Sequence, residues 1–171
     1  MMKLFIAPFL MALSATIPAH AADRTDEKRL DEVAQRGAHV MPFDLEKTTH
    51  VFSKTAKGGV QQVIAKDKSD TKQIGLIRAH LSEISEEFRQ GDFSKPAKIH
   101  GETMPGLAEL KTAKAGQIKI EYKELPDGGQ ITYSSEVPKF IKAIHRWFDA
   151  QLSDHARHAI PGNSHQHMHH K

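Results

Sequence analysis

The sequence predicts an α+β domain: an antiparallel sheet built from two β-hairpins, with two long amphipathic helices on one face. Three observations lead there. Two runs rich in β-branched and aromatic residues are each interrupted by a glycine turn, "TTHVFSKTAKGGVQQVIAK" and "QIKIEYKELPDGGQITYSSE", the pattern of a hairpin. Each run is followed by a segment whose apolar residues recur at three and four, the period of a helix with one buried stripe. The order strand–turn–strand–helix therefore occurs twice, and both turns end in paired glycines, Gly58-Gly59 and Gly128-Gly129. That recurrence reads either as a degenerate ββα duplication or as a common unit arising twice by chance.

The elements follow in order. Residues 1–21 read as an export signal: Lys3 supplies the positive start, "LFIAPFLMALSATI" the apolar stretch, and Ala19 and Ala21 the small residues before cleavage. A membrane anchor is disfavoured, because Pro8 and Pro18 bracket a run too short for a full span. Cleavage after Ala21 leaves 150 of the 171 residues. At that size one domain buries about 70% of its unfolded surface. The expected address is the periplasm, with secretion second and no membrane attachment after cleavage. Residues 22–37, "ADRTDEKRLDEVAQRG", form a charged, weakly helical arm stopped by Gly37.

A single domain is expected over residues 38–158. Pro42 breaks any helix, a strand begins near Lys47, and the first hairpin runs from Thr48 to Lys66. The first long helix lies in "SDTKQIGLIRAHLSEISEEFRQG", capped by Ser69 or Asp70 and ended by Gly91, with Ile74, Ile77, Leu81, Ile84 and Phe88 as its stripe. "DFSKPAKIHGETMPGLAELKTAKAG" reads as irregular, with a short helix from about Pro105 to Ala113. In the second hairpin Ile118, Ile120 and Tyr122 alternate with Lys119 and Glu121, and "VPKFIKAIHRWFDAQLSDHARH" is the second long helix, Pro138 in its first turn. Residues 159–171, "AIPGNSHQHMHHK", read as a disordered His-rich tail.

Composition narrows the chemistry. With 24 Lys+Arg against 21 Asp+Glu and 6% aromatics, the chain offers neither a basic footprint nor a stacking platform for nucleic acid. It has no cysteine, which excludes disulfides, thiolate zinc sites, iron–sulfur clusters and cysteine nucleophiles. Any metal site must come from His, Met, Asp or Glu, and histidine is the outlier at 12 residues. There is no Gly-x-Ser-x-Gly, phosphate loop, Gly-x-Gly-x-x-Gly or His-Glu-x-x-His. Glu83, Glu86 and Glu87 read as a solvated helix face, so the expectation leans away from an enzyme.

The candidate metal ligands fall into two sets. In the tail, His165, His167, His169 and His170 suit copper, nickel or zinc, and Met168 adds a soft donor; a solubilising tail with incidental affinity is the alternative. Inside the domain, His80 and His145 sit on the edges of their helical stripes, and His50 shares a strand face with Phe52. "KIHGETMPG" places His100 and Met104 four apart in a Gly/Pro-framed loop, "HVMPF" pairs His39 with Met41, and His155 and His158 lie at the last helix's end. A lone histidine on an apolar face is ordinarily hydrogen-bonded and structural, and a buried Met ordinarily fills a gap. Several half-buried imidazoles in one small domain argue instead for a shared ion. Met beside His leans toward copper over zinc or nickel. Asp149 and Asp154 stand where they could orient His145 or His155.

Together "MPFDLEKTTHVFSKTAKGGVQQVIAKD", "QIGLIRAHL", "GDFSKPAKIHG", "MPGL" and "IHRWFDAQLSDH" resemble a family of small exported Gram-negative proteins, many carrying the genome label "aspartate carbamoyltransferase". The resemblance covers about Met41 to His155. It implies that His50, His80, His100, Met104, His145 and His155 belong to recurring motifs. It does not carry the activity, since a true aspartate carbamoyltransferase resembles a longer two-domain α/β enzyme with a Ser-Thr-Arg-Thr-type loop. Only Arg24-Thr25 stands here, in the polar arm. The sequence thus predicts a periplasmic copper-binding protein for tolerance, buffering or delivery, with a protein partner left open. A non-catalytic interaction or sensor domain with structural histidines is the alternative, and a small metal-dependent enzyme comes third.

Overall fold

The computed structural model describes residues 19–162, with side chains from residue 27 onward. In chain order the elements are α1 (Ala19–Val40), a 3₁₀ turn (Leu45–Lys47), β1 (Thr48–Thr55), β2 (Gly58–Ala65), α2 (Thr71–Arg89), α3 (Ser94–His100), α4 (Leu107–Leu110), β3 (Lys119–Leu125), β4 (Gly128–Ser134), α5 (Pro138–Asp154) and β5 (Ala159–Pro161). The class is α+β, and both hairpins form. β1 pairs with β2 across Ala56-Lys57, and β3 with β4 across Pro126-Asp127.

The sheet order is β3-β4-β2-β1-β5. β2 and β4 meet antiparallel at its centre, Gly58 opposite Ser134 and Ile64 opposite Gly128, so the hairpins stand back to back. Along β2 the residues Gly59, Gln61, Val63 and Ala65 are buried while Val60, Gln62 and Ile64 are half-buried, as expected when helices cover one face only. α2 lies over the second hairpin and α5 over the first. The paired glycines explain how closely they seat. A Cβ at Gly59 would stand 2.4 Å from the Phe148 ring of α5, and one at Gly129 would stand 3.0 Å from Leu81 of α2.

The helix stripes form as the spacing predicts. Asp70 caps α2 by accepting from the Gln73 amide at 3.1 Å, and Ile74, Ile77, Leu81, Ile84 and Phe88 are buried together with His80. On α5 the buried face is Phe140, Ala143, Ile144, Trp147, Phe148 and Gln151. That face is rotated from the expected one, which leaves His145 at its margin. Trp147 sits edge-on to Phe88, Phe93 and Tyr133 in the aromatic centre of the core.

Three expectations are corrected. The polar segment 22–37 is part of one continuous helix, α1, that runs past Gly37 to Val40. Gly37 is no stop, because it is the close-approach point for Met41 and Leu45, and packing overrides glycine's poor helix propensity. The stretch expected to be irregular contains α3, started by Asp92 accepting from the Ser94 amide at 2.8 Å and tolerating Pro96 in its first turn. Finally, the tail does not begin at 159. Ala159–Pro161 add to the sheet as a short strand parallel to β1, with Ala159 opposite His50, so the sheet is mixed. Pro161 is tolerated because the strand lies at the edge. Among the described residues no helix is long and apolar enough to cross a membrane.

Candidate functional site

The fold brings four of the sequence-marked histidines to one cavity. β1 presents His50 on its covered face beside Phe52, α2 presents His80, α3 ends in His100, and His155 follows the last residue of α5. The short strand β5 sets the last of these. The His50 amide donates to the His158 carbonyl at 2.8 Å, which draws residues 155–159 against β1. His155 then stacks on His50 with centroids 5.1 Å apart and planes within 2°. His100 meets the same ring edge-on at 4.8 Å, and Phe43 bridges His50 and His80 at 5.9 and 5.6 Å. The cavity measures about 40 Å³ and is walled by Met41, Phe43, Phe52, Ile84 and Trp147, room for roughly two or three waters.

Burial governs the charge states. His50 is held down to about 4 by burial and by the neighbouring His158, His80 and His100, which outweigh its backbone contact. Burial and the Lys95 ammonium hold His80 to about 4 as well. His155 is pushed well below the ordinary imidazole value by burial and then by His50 and His100. These three rings are therefore neutral at pH 7 and keep a lone pair. Asp154 behaves differently. Burial pushes its carboxyl up, but hydrogen bonds from His100 and Arg29 prevail and hold it below the usual aspartate value. His100 Nδ1 lies 2.8 Å from Asp154 Oδ2, and Arg29 grips both oxygens at 2.8 and 2.7 Å. An ionised carboxylate only accepts, so Nδ1 of His100 carries the hydrogen.

Around this cavity three buried polar atoms, His50 Nδ1, Trp147 Nε1 and Gln151 Oε1, meet no hydrogen-bond partner among the described residues. All three residues line this cavity. A buried unpaired group costs about 1–3 kcal/mol, and these three give the otherwise apolar wall of the cavity polar atoms. Gln61, on the same wall, is already engaged, its Oε1 accepting from Tyr133 at 2.8 Å.

The remaining sequence-marked residues go elsewhere. His145 is not part of the cavity: its Nε2 faces the carbonyls of Thr55 at 3.0 Å and Gly58 at 2.9 Å, pinning the first hairpin turn to α5. Met104 is a buried core residue and does not line the cavity. His39 is exposed. His158 pairs with Glu46 at 2.7 Å, and Asp149 pairs with Lys54. Asp154 orients His100 instead of His145 or His155. His165, His167, His169 and His170 lie outside the described residues. Among the described residues no three His, Asp or Glu side chains are arranged to hold one metal ion; the imidazoles share a cavity yet stack on one another. Met41, marked in the sequence beside His39, does line the cavity; Trp147, Gln151 and Arg29 are the site residues that spacing alone did not select. Gln151 had a signal, a polar residue four after Trp147 on an apolar stripe.

Comparison with protein-family models finds no match, and no curated protein or solved structure is significantly similar to the chain.

Proposed function

We propose that this chain is an exported, non-catalytic metal-binding protein whose ion is copper, acting in tolerance, buffering or delivery in the periplasm. The folded domain would hold one ion among His50, His80, His100 and His155, and the tail histidines would capture ions ahead of it. The observation that carries this reading is that four imidazoles and the Met41 thioether, drawn from separate elements, line one cavity. Three of those imidazoles are kept neutral by burial, so they bind metal without first losing a proton.

Thioether and imidazole together favour Cu(I) over zinc or nickel. Charge argues the same way. The cost of moving an ion from water into an apolar cavity rises with the square of its charge, so a monovalent ion enters at roughly a quarter of the cost of a divalent one of equal size.

The test is Cu(I) titration against a chromophoric chelator, using the full chain with His165, His167, His169 and His170 each replaced by Asn. One equivalent should bind, and His50→Ala and His155→Ala should each weaken it at least tenfold. A second reading, structural histidines in a binding or sensor domain, is favoured by His145 and His158, whose Nε2 atoms face protein oxygens. It predicts no Cu(I) uptake by that tail-substituted chain.

A further inference from the structure

We propose that Asp154, clamped by Arg29, is the positioning residue that makes His100 the fixed lone-pair donor of the cavity, and that helix α1 thereby controls occupancy of the site. This rests on the metal reading above. The carboxylate is held from two sides. Asp154 Oδ2 serves both His100 Nδ1 and an Arg29 nitrogen, while Oδ1 takes Arg29 Nε, so the carboxylate cannot turn without breaking a two-point contact. The His100 side chain is 1% exposed and that of Asp154 6%, so neither group has water as a substitute partner.

With Nδ1 committed to the carboxylate, the lone pair of a neutral His100 lies on Nε2. Metal-bound histidines are ordinarily held in this way, their second nitrogen donating to a carboxylate that fixes the ring and raises its basicity. His50, by contrast, has a buried Nδ1 with no partner and is free to choose its tautomer. The clamp also reaches outside the cavity. Arg29 lies on α1, and Arg36, two turns further along the same helix, donates to the carbonyl of Ile99 at 2.6 Å. Helix α1 therefore holds the end of α3 directly, through the backbone beside His100, and indirectly, through the α5 carboxylate that orients the His100 ring. Val33 is the one fully buried apolar side chain between those two arginines. The polar contacts thus add to the little apolar packing between them in seating α1.

Two measurements test this on the full chain with the four tail histidines replaced by Asn. The first reads the His100 tautomer by ¹⁵N NMR at neutral pH without metal. The expected result is hydrogen on Nδ1 in the parent and a mixed population in Asp154→Asn, because an amide can face the ring with either an acceptor or an N–H. The second is Cu(I) competition against a chromophoric chelator. Asp154→Asn should lose about 10- to 100-fold in affinity, Arg29→Gln a smaller part, and Asp154→Glu should recover some of the loss. Hydrogen on Nε2 and not on Nδ1 in the parent, or an Asp154→Asn chain that binds Cu(I) as tightly as the parent, overturns the proposal. A parent that takes up no Cu(I) overturns the metal reading, and the tautomer then decides the positioning role by itself. Arg29 is half-exposed, so Arg29→Gln keeps the comparison open if Asp154→Asn fails to fold.

Discussion

Gln151 occupies a place on α5 where the stripe calls for an apolar residue, and its carbonyl oxygen is buried without a partner. Such a group costs stability, and the cost can be measured. Gln151→Leu, similar in size and apolar, should raise the stability of the metal-free protein by about 1 kcal/mol, read from the urea midpoint. A destabilised variant would show that the amide does useful work in the empty cavity. His145 is the opposite case. Its ring ties two carbonyls of the hairpin turn, so His145→Ala should cost about 1–2 kcal/mol of stability. Cu(I) affinity of the tail-substituted chain should not change, and a matching loss of affinity would return His145 to the ligand set. In the sequence the two kinds of histidine look alike, because position on a stripe says that a ring is half-buried and nothing about what its nitrogens meet.

At the scale of elements, the glycine turns do more than turn. Their second members, Gly59 and Gly129, are the points where α5 and α2 touch the sheet. Gly59→Ala drives a methyl into the Phe148 ring at 2.4 Å and should cost about 1–3 kcal/mol. Gly129→Ala meets a movable Leu81 methyl at 3.0 Å and should cost less. Denaturant midpoints compare the two, and equal losses would mean that both helices resist displacement alike. The hairpins, α2 and α5 were legible because each carries a period of two or of three to four along its own length. α3 and β5 were not. α3 is seven residues long, too short for a period to show. β5 is three residues, and it is a strand only because β1 offers it an unpaired edge.

For the whole molecule, three neutral imidazoles in one core tie stability to pH. Unfolded histidines take up protons near 6.5, whereas His50 and His80 do so only at about 4 and His155 lower than normal. Stability is therefore full above pH 6.5 and falls as pH drops from there toward 4, by about 1.4 kcal/mol per pH unit for His50 and for His80, with His155 adding a loss in the same direction. Asp154, whose lowered value shields it from protonation, adds a further loss only below its ordinary range near 3.8. Urea midpoints at pH 7.5, 6 and 5 should decline in that order, and a flat series would mean that the rings are not held neutral. A bound Cu(I) ion should raise the midpoint at each pH, least at pH 5, where protons compete for the same lone pairs.

By itself the sequence determined the α+β class, the two hairpins, the two long helices and the abundance of imidazole in a chain without cysteine, since all of these are written in local period and composition. Only the tertiary structure decided which histidines meet. His50, His80, His100 and His155 converge because β5 draws the chain after α5 back along β1 and α1 holds the end of α3, while His145, on the same helix that leads to His155, faces a turn. Periodicity records how far a side chain is buried. Its neighbours are set by strand order and helix seating, which join residues 54, 125 or 105 positions apart (as with His100 and Asp154, Arg29 and Asp154, His50 and His155) and leave no trace in any short window.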